Sequence, residues 1–360
     1  MASFKSNPLK FNTNKQVSID NSSFNILLAV IAVLVVVLLT TGIYFICASG
    51  SGSATQGGGN DSPAGSVADY PYRQEITVSI PQVDDDTDAI SAKSDDGSGI
   101  YSEFAALIDM TDNKIIASKK SAREIYPASM TKVMTLIVVV ENLKTEKSMD
   151  DKITVSKEVV DAMFAERASG YGFKEGEVLT VRDLLHALIL QSDGVAALEL
   201  ANYIAGSERD FVAMMNQKAV EIGMSNTSFQ NCTGLHHDYL LTTCQDMGIM
   251  MMYAMQNTFC ADILSAKSHK LPDSFRKETN NTYTLYHATL VSKFDALKPI
   301  TNTVEVTAAK SGWTGSDSGY CLVSYAVGSN GHKYVLVTAK AGTSEESIAD
   351  MAYIYNTYVK

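Results

Sequence analysis

The chain reads as an α+β domain on three observations. Apolar runs pair around tight turns at both ends of the folded part, helical periodicity fills the stretch between them, and capping residues and glycines separate the two patterns. With 46% of its residues apolar and 19% charged, a chain of 360 residues can bury a sizeable core. A formal net charge of -11 argues against a nucleic-acid partner, since phosphate binding needs clustered Lys and Arg.

In chain order, residues 1–25 carry Lys5, Lys10 and Lys15 against Asp20, and Ile26 to Ala48 then runs without a charge. That stretch exceeds the roughly 20 residues that cross a bilayer core. Lys and Arg are absent after it until Arg73, so the charge bias puts residues 1–25 in the cytoplasm and the rest of the chain outside, with 26–48 as a single-pass anchor. A cleaved signal peptide is the competing reading. Its apolar stretch is shorter and ends in small residues, which Ile46-Cys47-Ala48 matches poorly, and Ile46 also disfavours lipidation of Cys47. Residues 49–100 open with a Gly/Ser tract and continue acidic and Ser-rich, a composition that predicts a flexible tether. The folded domain is expected over 101–360.

Within it, Phe104–Asp109 and Lys114–Ser118 flank an Asp/Asn turn and predict a hairpin, and Tyr320–Val327 with Lys333–Thr338 predict a second around Gly328 and Gly331. Thr301–Thr307 alternates like a strand. Helical periodicity covers Val181–Leu190, Val195–Ile204, Phe211–Ile222 and Asp246–Met255, with Ser207/Asp210 and Thr242/Gln245 at capping-box spacing and Gly206 and Gly223 as stops. Ser344 with Glu345 and Glu346 opens a last helix toward Tyr355.

The residues that carry chemistry begin with Pro127-Ala-Ser-Met-Thr-Lys132, just before the apolar run Val133–Val140. This places Ser129 and Lys132 in the first turn of a core helix, three apart and on one face. A neutral lysine amine there can take the hydroxyl proton as Ser129 attacks. An exposed lysine titrates at about 10.4, so the role requires a depression of about three pH units, on the order of 4 kcal/mol, from burial and a neighbouring cation. S-x-x-K alone is weak evidence, since Ser274-Phe-Arg-Lys277 matches it as well, beside Pro272 and Asn280 rather than before a core helix. Two further segments follow the first match in order: Ser192-Asp193-Gly194 and Lys310-Ser-Gly-Trp-Thr314.

Together these resemble the S-x-x-K, S-x-N and K-T-G trio of penicillin-binding proteins and serine β-lactamases. The surroundings, Leu184–Ala197 and Met224–Leu235, resemble serine D-alanyl-D-alanine carboxypeptidases in particular. The resemblance implies the β-lactamase/penicillin-binding-protein fold, an antiparallel sheet built from both ends of the domain beside a helical subdomain. It implies Ser129 as nucleophile, Lys132 as its base and Ser192 as a proton relay. Lys310, Ser311 and Thr314 would grip the substrate's terminal carboxylate, and the amides of Ser129 and Trp313 would form the oxyanion hole, at roughly 3 kcal/mol per donor. Gly312 suits close approach of substrate to backbone. The substrate implied is a peptidoglycan stem ending in D-Ala-D-Ala, with β-lactams as covalent inhibitors and no metal or cofactor.

Gly194 departs from the pattern, which has Asn there, so a side-chain amide expected on the substrate backbone is missing. A serine β-lactamase is one alternative, but no glutamate between Gly194 and Lys310 begins the E-x-x-L-N loop that activates water. A catalytically inactive wall-binding homologue is the other, with Gly194 as its support. Of the five cysteines, Cys232 and Cys244 are the pair expected to bridge if any does, with buried free thiols the competing expectation. The six histidines lack metal-ligand spacing.

Overall fold

Apolar runs at the two ends of the domain meet in one sheet, although nearly two hundred residues of chain separate them. The computed structural model describes residues 71–78, 82–83, 89–276, 281–294 and 301–360. Among these the main sheet holds β1 (Gln82–Val83), β2 (Phe104–Asp109), β3 (Lys114–Lys119), β4 (Val304–Gly312), β5 (Tyr320–Gly328) and β6 (Lys333–Ala341). Their order is β1-β3-β2-β6-β5-β4, antiparallel except for β1, which lies parallel to β3. Both predicted hairpins form. The strand expected over 301–307 instead runs from Val304 to Gly312, so Lys310 and Ser311 lie inside it.

The helices are α1 (Lys132–Glu141), α2 (Lys157–Ala165), α3 (Val181–Leu190), α4 (Gly194–Ala205), α5 (Glu208–Glu221), α6 (Cys244–Gln256), α7 (Thr258–Ser265) and α8 (Ser344–Tyr358). Ala106 and Ile108 of β2 join the core that contains α1 and α6, while Ala105 and Leu107 join Ile348, Met351 and Ile354 of α8 on the other face. Covering both faces explains why the strand is apolar at successive positions instead of alternating. Helix α1 is buried along its whole length, and each of its Val, Leu and Ile side chains is worth about 1.5–3 kcal/mol against exposure. Its two charged residues stand at its ends. Lys132 faces the cleft, and Glu141 pairs with Lys218 at 2.8 Å and accepts from the Tyr253 hydroxyl at 2.5 Å.

Local signals are met with small corrections. Ser207 caps α5 by accepting from the Asp210 amide at 3.1 Å, and Gly206 ends α4 with φ 78°. Thr242 is not the cap of α6. Thr243 takes that role, accepting from Asp246 at 3.0 Å, because Thr242 is held in a short strand against Ile125 with its hydroxyl on Thr227. Thr343, not Ser344, caps α8, and Glu346 reaches back to its amide at 2.9 Å.

The packed chain extends into the segment read as a tether. Tyr72 is buried edge-on against Phe259, its carbonyl accepts from Asn257 at 3.2 Å, and Ile90 and Ile100 are buried. The stretches 1–25 and 26–48 lie outside the described residues. Among the described residues no helix is long and apolar enough to cross a membrane. Cys232, Cys244, Cys260 and Cys321 are free and buried, so the Cys232–Cys244 bridge does not form. The Cys232 thiol donates to the Glu208 carboxylate at 3.2 Å, and the Cys321 thiol to the Ser318 carbonyl at 3.3 Å.

Candidate active site

Ala128–Thr131 forms a 3₁₀ turn that runs directly into α1, so Ser129 precedes the α-helix instead of standing in its first turn. Side chains three apart eclipse in that geometry. Lys132 Nζ accordingly reaches Ser129 Oγ at 3.2 Å, and it donates to the Thr233 carbonyl at 2.6 Å. Two glycines admit backbone to this turn. A Cβ on Gly312 would lie 2.7 Å from the Ser129 nitrogen, and one on Gly234, itself at φ 76°, would lie 2.0 Å from the Ala128 carbonyl oxygen. The close approach expected of Gly312 toward substrate is therefore made first to the turn that carries Ser129. Ala128, at φ 47°, carries the strain of that turn.

Lys132 is 3% exposed, and burial brings its amine down from 10.5 to about 8, against the opposing pull of Cys232 and Asp193. An amine that donates to Thr233 while neutral keeps its lone pair for the Ser129 proton. Repulsion between the two site lysines falls on Lys310. Burial first, then the Lys132 and Lys293 cations, hold it well below the usual lysine range.

Ser192 stands in the turn between α3 and α4 with φ 55°, and Lys310 Nζ donates to its Oγ at 2.9 Å and to the Ser311 carbonyl at 2.7 Å. The Ser311 hydroxyl meets Thr289 Oγ1 at 2.9 Å and Lys293 Nζ at 3.1 Å. Ser129, Lys132, Thr233, Trp313 and Thr314 line a cleft of about 290 Å³, and residues 166–169 form another part of its wall. Trp313 is 56% exposed and stacks on Tyr320, and the Thr314 amide is held by Ser318 Oγ at 2.9 Å. Gly194 is set against that wall, its amide donating to the Ser169 carbonyl at 2.9 Å. The second S-x-x-K match is separate: Ser274 lines another groove with Phe275 and Arg276, and Lys277 lies outside the described residues.

Sequence reading missed Thr233, Asp193, Lys293 and the 166–169 wall. Thr233 sat within a segment already marked as family-like. Lys293 stands in a π-helical turn, Ala288–Lys293, with no spacing that ties it to Ser311.

A sequence profile described as D-alanyl-D-alanine carboxypeptidase matches residues 89–343. The chain belongs to the D-alanyl-D-alanine carboxypeptidase family. It is 30% identical over 248 residues to the D-alanyl-D-alanine carboxypeptidase DacF of Bacillus subtilis, covering 69% of this chain and 59% of that protein. It is 36% identical over 147 residues to DacC of Escherichia coli, covering 40% of this chain and 37% of that one. The matched stretch thus spans less than two thirds of these relatives. Among solved structures, the Streptomyces K15 DD-transpeptidase superposes with TM-score 0.62 at 23% identity, over 71% of this chain and 96% of that one. Penicillin binding protein 5 of Haemophilus influenzae gives 0.60 at 24%, over 70% and 69%. These superpositions establish the penicillin-binding-protein-like α+β fold that the sequence predicts.

Proposed function

We propose that the chain is a serine-type D-Ala-D-Ala carboxypeptidase that removes the terminal D-alanine from peptidoglycan stem peptides. The observation that carries the reading is the Ser129–Lys132 pair, 3.2 Å apart, with a buried amine whose affinity for its proton is already weakened. In the acylation step Ser129 Oγ attacks the carbonyl of the penultimate D-alanine while Lys132 accepts the hydroxyl proton. The new C–O bond forms, the C–N bond to the terminal D-alanine breaks, and Ser192 passes a proton to the departing amine. Water then cleaves the ester and regenerates the Ser129 hydroxyl.

The amides of Ser129 and Trp313 would hold the oxyanion, and Lys310, Ser311 and Thr314 the terminal carboxylate. Lys293 and Thr289 support this by orienting the Ser311 hydroxyl. β-Lactams, which imitate the dipeptide, would acylate Ser129. The uncharged run 26–48 and the charge bias around it support a single-pass anchor with the catalytic domain outside the cell. A synthetic peptide ending in D-Ala-D-Ala tests the reading: one D-alanine released per peptide is expected, with none from Ser129→Ala. Release by that variant, or no release by the wild type, would overturn it.

A further inference from the structure

Gly194 occupies the place where the family motif carries Asn, and both it and the preceding Asp193 are buried. The Asp193 carboxylate is 1% exposed and accepts from the Ala196 amide at 2.8 Å, capping α4, and from the Tyr171 amide at 2.6 Å. Gly170 lies flat on this carboxylate, since a Cβ there would stand 2.7 Å from Oδ2. The Gly194 amide closes the clamp on the Ser169 carbonyl. A Cβ at Gly194 would meet the Ala168 Cβ at 2.8 Å and the Met163 sulfur at 3.0 Å, so the space beside position 194 is filled by the end of α2 and the loop that follows it. That loop, with Arg167 at φ 53°, forms part of the wall of the cleft that Ser129 lines.

We propose that Asp193 is a positioning residue that clamps the 166–171 loop onto the Ser192 turn, and that this loop, instead of a side chain at position 194, is the specificity-determining wall that meets the substrate backbone. Asp193 also acts on Lys132 through its charge. Lys132 is the cation that interacts with it, Lys310 and Cys232 are the other titratable groups acting on Lys132 or acted on by it, and Glu166 and Arg167 stand exposed on the loop. Burial raises the Asp193 carboxyl above its ordinary value, while the Ala196 and Tyr171 amides and the Lys132 cation oppose that shift by favouring the ionised carboxylate. Its negative charge favours the protonated amine, so its removal shifts the acid limb of the acylation rate to lower pH.

The inference rests on the carboxypeptidase reading, and the test separates the two. In the full chain in detergent micelles, amide hydrogen exchange at Tyr171 and penicillin acylation of Ser129 are measured for the wild type, Asp193→Ala, Asp193→Asn, Gly194→Asn and Gly194→Asn/Ala168→Gly. Asp193→Ala is expected to lose about tenfold in Tyr171 protection, the equivalent of one charged hydrogen bond, and to acylate more slowly. Asp193→Asn keeps one acceptor, retains part of the protection, and moves the acid limb down, which loss of a merely structural contact does not do. Gly194→Asn alone is expected to impair acylation, and Ala168→Gly to restore it by opening the filled space. Should Asp193→Ala fail to fold, Asp193→Asn decides by the same two readouts. Unchanged Tyr171 protection in the Asp193 variants, or Gly194→Asn acylating as well as the wild type, would overturn the clamp. A wild type that forms no acyl-enzyme would instead sink the carboxypeptidase reading, while exchange at Tyr171 still reports on the clamp.

Discussion

Raising the pH titrates Lys132, and the structure gives the size of the effect. With the amine brought from 10.5 to about 8, the neutral base rises from about a tenth of the molecules at pH 7 to about nine tenths at pH 9. Acylation of Ser129 by penicillin, followed by quenching and intact mass at a series of pH values, should therefore speed up about tenfold over that interval and then level off. A lysine left at its ordinary value would give about a hundredfold rise with no plateau by pH 9. The same burial costs stability. The unfolded chain holds the Lys132 proton up to 10.5 and the folded chain only to about 8, so between these values the unfolded state binds more protons and stability rises with pH. Below that window the full cost applies, about 3 kcal/mol at neutral pH, and Lys132→Met should raise the melting temperature while abolishing acylation. A rate that is flat between pH 7 and 9, or a Lys132→Arg enzyme that acylates normally, would refute the assignment of the base.

Three further outcomes follow from packing and charge. Gly312→Ala puts a Cβ against the Ser129 amide and should slow acylation at least about a hundredfold while leaving the melting temperature within a few degrees, measured by the same mass assay and by calorimetry. Lys218→Ala leaves the buried Glu141 carboxylate without its cation and should cost about 3–5 kcal/mol in denaturant unfolding, whereas joint replacement of Lys218 and Glu141 by apolar residues should recover most of it. The four buried thiols at 232, 244, 260 and 321 should react with a thiol reagent only on unfolding, and reductant should leave the melting temperature unchanged.

Elements whose cause is local were legible in the sequence. The hairpins follow from apolar runs paired around an Asp/Asn or Gly turn, α5 from the Ser207 cap, and Ser129–Lys132 from a three-residue spacing that needs no tertiary information. What escaped depends on residues far apart in the chain. Thr242 has the spacing of a cap, but its pairing with Ile125 hands that role to Thr243. Gly194 reads in sequence as a lost amide. Only the packing of Met163 of α2 and Ala168 of the loop after it, more than twenty residues upstream, gives the glycine a reason. Strand β4 runs past its alternating stretch because α7 and the nucleophile turn cover its later residues, which lets Ala308 and Ala309 be apolar in succession.

The most direct test of the serine acyl-enzyme is intact mass of the protein over time after adding penicillin, with Ser129→Ala alongside. A long-lived adduct of one penicillin on the wild type, absent from the variant, is the result expected of a carboxypeptidase of this family. Rapid turnover to penicilloic acid would point to a β-lactamase, and the absence of both adduct and turnover, or an adduct that persists in Ser129→Ala, would contradict Ser129 as the nucleophile of a working enzyme.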